Sequence, residues 1–390
     1  MVANGSAIRA MFEEGNKMAQ LYGAENVYDF SLGNPNVAAP VSVKIALQDI
    51  LEEENPVVLH GYTNNAGYID VRETVANSLN ARFGTAFTAQ NILMTVGAAG
   101  GLNVILKTLL NPADEVITFA PFFGEYRNYV SNFDGVLVEV SPNTSTFQPK
   151  LEELECKITS NTKAIIVNSP NNPTGVVYSE ETIQAIAAIL CKKEAEYGHP
   201  IYLISDEPYR ELVYDGVEVP YLTKYYANTI VGYSYSKSLS LPGERIGYLV
   251  IPDEVADSEL VIEAATVANR ILGFVNAPTL QQKLVAKCIE EKTDVSYYNR
   301  NRELLYNSLT EYGFDCIKPE GAFYLFVKAP VENELELVEA AKAHHILLVA
   351  GRGFGCPGYV RIAYCVAYET IVNALPKFQE LAKQFQLIRE

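Results

Sequence analysis

Short apolar runs of strand length recur through the middle of this chain and alternate with helical patterning. That alternation restricts the folds open to it. NILMTVG (91–97), EVITFAP (115–121), GVLVEVS (135–141), KAIIVNSP (163–170), PIYLISDEP (200–208), NTIVGYS (228–234) and RIGYLVIP (245–252) follow one another. Several are apolar nearly throughout, as strands are when both faces are covered. The helix before PIYLISDEP is well marked. Ser179 can cap it, Glu180 and Glu181 sit in its first turn, and Lys192 and Lys193 lie towards its end. Gly198 and Pro200 close it. Ile183, Ile186, Ala187 and Leu190 form its apolar stripe. Strand–helix–strand units of this length require a mainly parallel sheet between helices, an α/β fold.

The pattern changes near residue 285. Long helical stretches precede two short strand-like runs, GAFYLFVKA and YVRIAYCV, and a closing helix. The 390 residues suit two domains. The expected division is a large domain over 46–284 and a smaller α+β domain made of 1–45 and 285–390. Within the former segment, residues 5–22 read as one helix. The net charge of −17 disfavours nucleic acid and anionic membranes as partners. No apolar run approaches the roughly 18 residues of a membrane span. The opening MVANGSAIRAMFEEG lacks the apolar centre of a signal peptide. The six cysteines are scattered with no CxxC pair, which reads as reduced thiols in a cytoplasmic protein. The four histidines form no HxxxH or HExxH pair, so no metal is expected.

In open α/β sheets ligands bind beyond the carboxyl ends of the strands. Here those ends read VGAAGG (96–101), APFFGEY (120–126), NSPNNPTG (168–175), SDEPYR (205–210) and SYSK (234–237). VGAAGG opening a helix is either a tight turn or a backbone cradle for an anion. It is not the GxxxxGK[ST] loop of ATP and GTP sites. Asp206 follows a mostly apolar strand, where a carboxylate needs a partner. It is either a local turn-former or the group that holds a cation or a protonated ring nitrogen. Lys237 poses a similar choice. After a strand a lysine is ordinarily a surface group. Buried beside other cations it loses its proton and becomes an imine-forming nucleophile. Ser234, Ser236, Ser238 and Ser240, with Arg245 behind them, suit a dianionic phosphate.

Taken together, YTNNAGY (62–68), NNPTG (171–175), DEPY (206–209), SYSK with Arg245, and YVRIAY (359–364) make the chain resemble the class I/II pyridoxal-phosphate-dependent aminotransferases of fold type I, the aspartate aminotransferase-like group. The likeness runs from about residue 28 to 385. It implies a pyridoxal 5'-phosphate cofactor bonded to Lys237 as an aldimine. Asp206 would pair with its ring nitrogen, and Asn172 and Tyr209 with its phenolic oxygen. Ser234, Ser236 and Arg245 would hold the phosphate, with the backbone of Gly97, Ala98 and Ala99. Phe123 would stack on the ring. Tyr62 would reach the neighbouring subunit's cofactor, which implies a homodimer. Arg361 would take the substrate's α-carboxylate, near Gly33, Asn34 and Asn172. Arg270 is the candidate for a distal carboxylate, as in members that act on aspartate; the other reading is an exposed helix arginine. Two departures stand out. The phosphate turn carries Ala98 and Ala99 where the family often has Ser or Thr. The chain has no Trp, so Phe123 or Tyr126 must stack. The implied reaction moves an amino group between an L-amino acid and a 2-oxo acid by a ping-pong route. A cysteine-S-conjugate β-lyase is the alternative on the same fold. A regulator is disfavoured, because no winged helix fits in the short segment before the fold.

Overall fold

The computed structural model describes residues 7–388. Thirteen strands are present among them. β1 is Tyr28–Asp29, β2 Ile92–Thr95, β3 Glu115–Phe119, β4 Val136–Val140 and β5 Thr162–Asn168. β6 is Tyr202–Asp206, β7 Thr229–Ser234, β8 Gly247–Val250 and β9 Asp315–Cys316. β10 is Tyr324–Lys328, β11 Ile346–Leu347, β12 Val349–Ala350 and β13 Tyr359–Ala363. The seven apolar runs of the sequence form one sheet in the order β2-β8-β7-β6-β5-β3-β4. Neighbours pair in parallel except β8, which runs against both β2 and β7. Every residue of β2, β6, β7 and β8 is buried, because helices cover both faces. At the edge, β4 is mostly half-exposed, as its alternating sequence implies.

The crossover helix Glu180–Tyr197 has the expected ends. The Ser179 hydroxyl accepts from the Thr182 N–H at 3.2 Å, and Gly198 closes it at φ 74°. The run RIGYLVIP is strand only over 247–250, since Arg245 is needed in a left-handed turn at φ 53°.

The later residues build a second, antiparallel sheet, β12-β13-β10-β9. β1 pairs in parallel with β11 and thereby ties the early segment to the late one. Phe30 joins a core with Tyr298, Phe323 and Phe378. The helix expected over 5–22 is present as Ala7–Tyr22; residues 5 and 6 lie outside the described residues. All six cysteines are free. Among the described residues no helix is long and apolar enough to cross a membrane.

Because β5, β6 and β7 are parallel and in register, their carboxyl ends share one edge. Asn168 stands opposite Asp206, and Asp206 opposite Gly232. That edge faces the second sheet.

Candidate active site

A cavity of about 510 Å³ lies between the sheet edge and the second sheet. Its lining takes Asp206, Tyr209, Ser234, Ser236, Lys237 and Arg245 from the first, and Tyr324 and Arg361 from the second. Of the other residues singled out in the sequence, Gly33, Ala98, Ala99, Phe123 and Asn172 also line it. Gly97 stands directly behind: a Cβ there would lie 3.0 Å from an Arg245 guanidinium nitrogen, and its φ is 68°. Asn34 and Arg270 are exposed and outside the lining of this chain. Tyr62 is 90% exposed and also stands apart from it.

Each side chain is held by neighbours that fix its role. The Lys237 ammonium donates to the Gly33 carbonyl at 2.7 Å. Burial pushes its pKa down to about 8; Cys365 opposes this, and the charges of Arg245 and Arg361 add to it. Asp206 is pushed up to about 7 by burial, against the Tyr126 hydroxyl that donates to its Oδ2 at 2.5 Å. Its Oδ1 is buried with no partner among the described residues. Arg361 is buried on β13, and burial lowers its pKa. It donates to Asn172 Oδ1 at 3.0 Å and to the Ser31 carbonyl at 2.5 Å. That first bond orients the Asn172 amide, leaving its N–H₂ free to donate. The Tyr209 and Tyr324 hydroxyls are 2.8 Å apart. Ser234 Oγ donates to Ser236 Oγ at 2.7 Å and accepts from the Ser236 N–H at 3.1 Å.

A half-buried lysine with a depressed pKa, a buried carboxylate with an empty acceptor and a buried arginine share one cavity. The class I and II aminotransferase family model matches residues 25–378. The chain belongs to that family. A probable aspartate/prephenate aminotransferase from Thermus aquaticus is 32% identical, over 89% of this chain and 89% of its own length. Aromatic-amino-acid aminotransferase 2 from Thermococcus litoralis is 30% identical, over 99% of this chain and 98% of its own. An aminotransferase structure from Eubacterium rectale superposes with a TM-score of 0.96 at 49% identity, covering 98% of this chain and 96% of that one.

Aminotransferases of this family depend on pyridoxal 5'-phosphate. The residues present fit that group. The unpartnered Asp206 Oδ1 lacks only a cationic donor, and a protonated ring nitrogen is one. Gly97 leaves room for Arg245 to close on an anion at the helix start.

Two residues of this site take roles that the sequence does not mark. Tyr126 is the stacking alternative to Phe123 in the sequence. Instead its hydroxyl serves Asp206, and its ring lies against Phe122 at 6.3 Å, outside the cavity lining. Phe123 alone of the two faces the cavity. Tyr324 lies in the strand run GAFYLFVKA, where nothing separates it from a core aromatic. Its partnership with Tyr209 depends on a fold-level contact between residues 115 positions apart.

Proposed function

We propose that this aminotransferase moves an amino group between an L-amino acid and a 2-oxo acid at the Lys237 cavity. The observation that carries the reading is that Lys237, half-buried, and Asp206 and Arg361, both buried, line one space. Lys237 would bond the cofactor's aldehyde carbon and Asp206 would pair with the ring nitrogen. Asn172 and Tyr209 would donate to the phenolic oxygen, and Phe123 would stack on the ring. The Gly97–Ala99 backbone, Ser234, Ser236 and Arg245 would hold the phosphate. Pyridoxal 5'-phosphate bound there supplies the electron sink for a substrate carbon that loses its proton.

The chain's own groups supply orientation and proton transfer. The Arg361 fork takes the α-carboxylate and sets the angle of the Cα–H bond. Its burial excludes water and strengthens that hold. The Lys237 amine, its pKa pushed down to about 8, would take the proton from the substrate's Cα and deliver it to the cofactor's former aldehyde carbon, on the other side of the amino nitrogen. Gly33 positions that amine through its carbonyl.

Residues 46–284 and the pair of segments 1–45 and 285–390 act as two domains that close on this space. Tyr62, exposed in the single chain, completes the phosphate site of a second copy in a homodimer. Aspartate with 2-oxoglutarate is the pair to test first, supported by the relative named for aspartate and prephenate. Arg270 would reach a distal carboxylate only from the partner subunit, since it does not line its own cavity.

A panel of amino donors against 2-oxoglutarate and pyruvate tests the reading. The expected result is acceptor-dependent amino transfer that vanishes in Lys237→Ala. Release of pyruvate from a sulfur amino acid with no acceptor present, and no transfer to any 2-oxo acid, would replace it with an elimination reaction.

A further inference from the structure

The phosphate cradle just proposed is short of side-chain donors. Its turn offers the methyls of Ala98 and Ala99, so only main-chain N–H groups point from it. The Ser234 hydroxyl proton is committed to Ser236 Oγ at 2.7 Å. That leaves, from this chain, the Ser236 hydroxyl and the Arg245 guanidinium, beside the Tyr62 hydroxyl proposed to come from a second copy, for a dianion whose terminal oxygens accept several hydrogen bonds each.

Tyr129 stands on the helix Tyr126–Ser131 and lines the same cavity as Ala98, Ala99 and Arg245. Its ring is half-buried against the core cluster that holds Leu102, which fixes its direction. Its hydroxyl has no hydrogen-bond partner among the described residues. Besides burial, the charges that act on it are Glu125, Asp206 and Arg245. The group therefore shares one cavity with the carboxylate assigned to the ring nitrogen and the guanidinium assigned to the phosphate. In pyridoxal 5'-phosphate the carbon that bears the phosphate arm is separated from the ring nitrogen by a single CH. A donor that lines the cavity with Ala98, Ala99 and Arg245 is thus placed to meet that arm. Glu125, the nearby anion, lines the same cavity, and the Asn128 amide donates to its Oε2 at 2.8 Å.

We propose that Tyr129 is a cofactor-binding residue whose hydroxyl donates to the phosphate and fills the place left open by Ala98 and Ala99. Burial, then Glu125 and Asp206, push the phenol up to about 12, so it keeps its proton at neutral pH and stays a donor. The inference rests on the cofactor site set out above.

Apoenzyme of the unchanged chain and of Tyr129→Phe is titrated with pyridoxal 5'-phosphate and, separately, with pyridoxal. A hydrogen bond to a charged group predicts a Kd for the phosphate form raised about tenfold or more in Tyr129→Phe, with the pyridoxal Kd unchanged. An unchanged Kd for the phosphate form, or an equal loss for both ligands, overturns the assignment. Failure of the underlying site reading has a different signature: the unchanged chain itself would bind the phosphate form no more tightly than pyridoxal.

Discussion

At the scale of single residues, burial sets the chemistry. Asp206 has an ordinary pKa of 3.8 and is pushed up to about 7 in the folded chain. Between those values the folded apoenzyme binds more protons than the unfolded chain. The contribution of Asp206 to stability is therefore greatest below the unfolded value and is lost as pH rises through the folded one. The full swing is on the order of 4 kcal/mol. Urea unfolding of the apoenzyme from pH 4 to 8 should show this fall, and Asp206→Asn should flatten it. An equal slope in both chains would remove Asp206 as its source. Arg361 makes a second case. Lysine keeps the charge but loses the fork that holds both Asn172 and a carboxylate. Arg361→Lys should raise KM for amino and 2-oxo acids about tenfold or more, through loss of a charge-assisted bond. Steady-state kinetics with saturating cofactor will show it; an unchanged KM would place the carboxylate elsewhere.

At the scale of elements, the helix Gly97–Leu109 must begin where β2 ends, with no intervening loop. Gly97 makes that possible at φ 68°. Gly97→Ala should cost about 1–2 kcal/mol for the left-handed backbone and drive a methyl against Arg245. Lower stability of the apoenzyme, together with weaker binding of pyridoxal 5'-phosphate, is the expected pair of results. The helix Glu180–Tyr197 was legible in full, because its caps, charges and stripe are local signals. The end of the run RIGYLVIP was not. Arg245 leaves the strand pattern for a left-handed turn, and nothing in the flanking residues marks that change.

At the scale of the molecule, the proposed dimer predicts complementation. Chains carrying Tyr62→Ala and Lys237→Ala should each be impaired. Unfolded and refolded together, they should form hybrid dimers with one site that has both residues intact, so activity should return. No recovery in a mixture shown to contain hybrids would place Tyr62 outside the neighbour's site.

The sequence by itself determined the parallel sheet, the polar groups at its carboxyl edge and the residue types that a phosphate, a ring nitrogen and a carboxylate require. Strand runs, caps and turn residues act over a few positions, so their signals survive without a fold. Only the tertiary structure decided that Tyr126 serves Asp206, that Tyr324 meets Tyr209, and that Tyr129 faces the cavity. An aromatic in an apolar stretch reads as core whichever way its hydroxyl points. The direction comes from packing between elements far apart in the chain. The same holds for Asn34, Tyr62 and Arg270, whose distance from the cavity of their own chain is set by where the helices and loops dock.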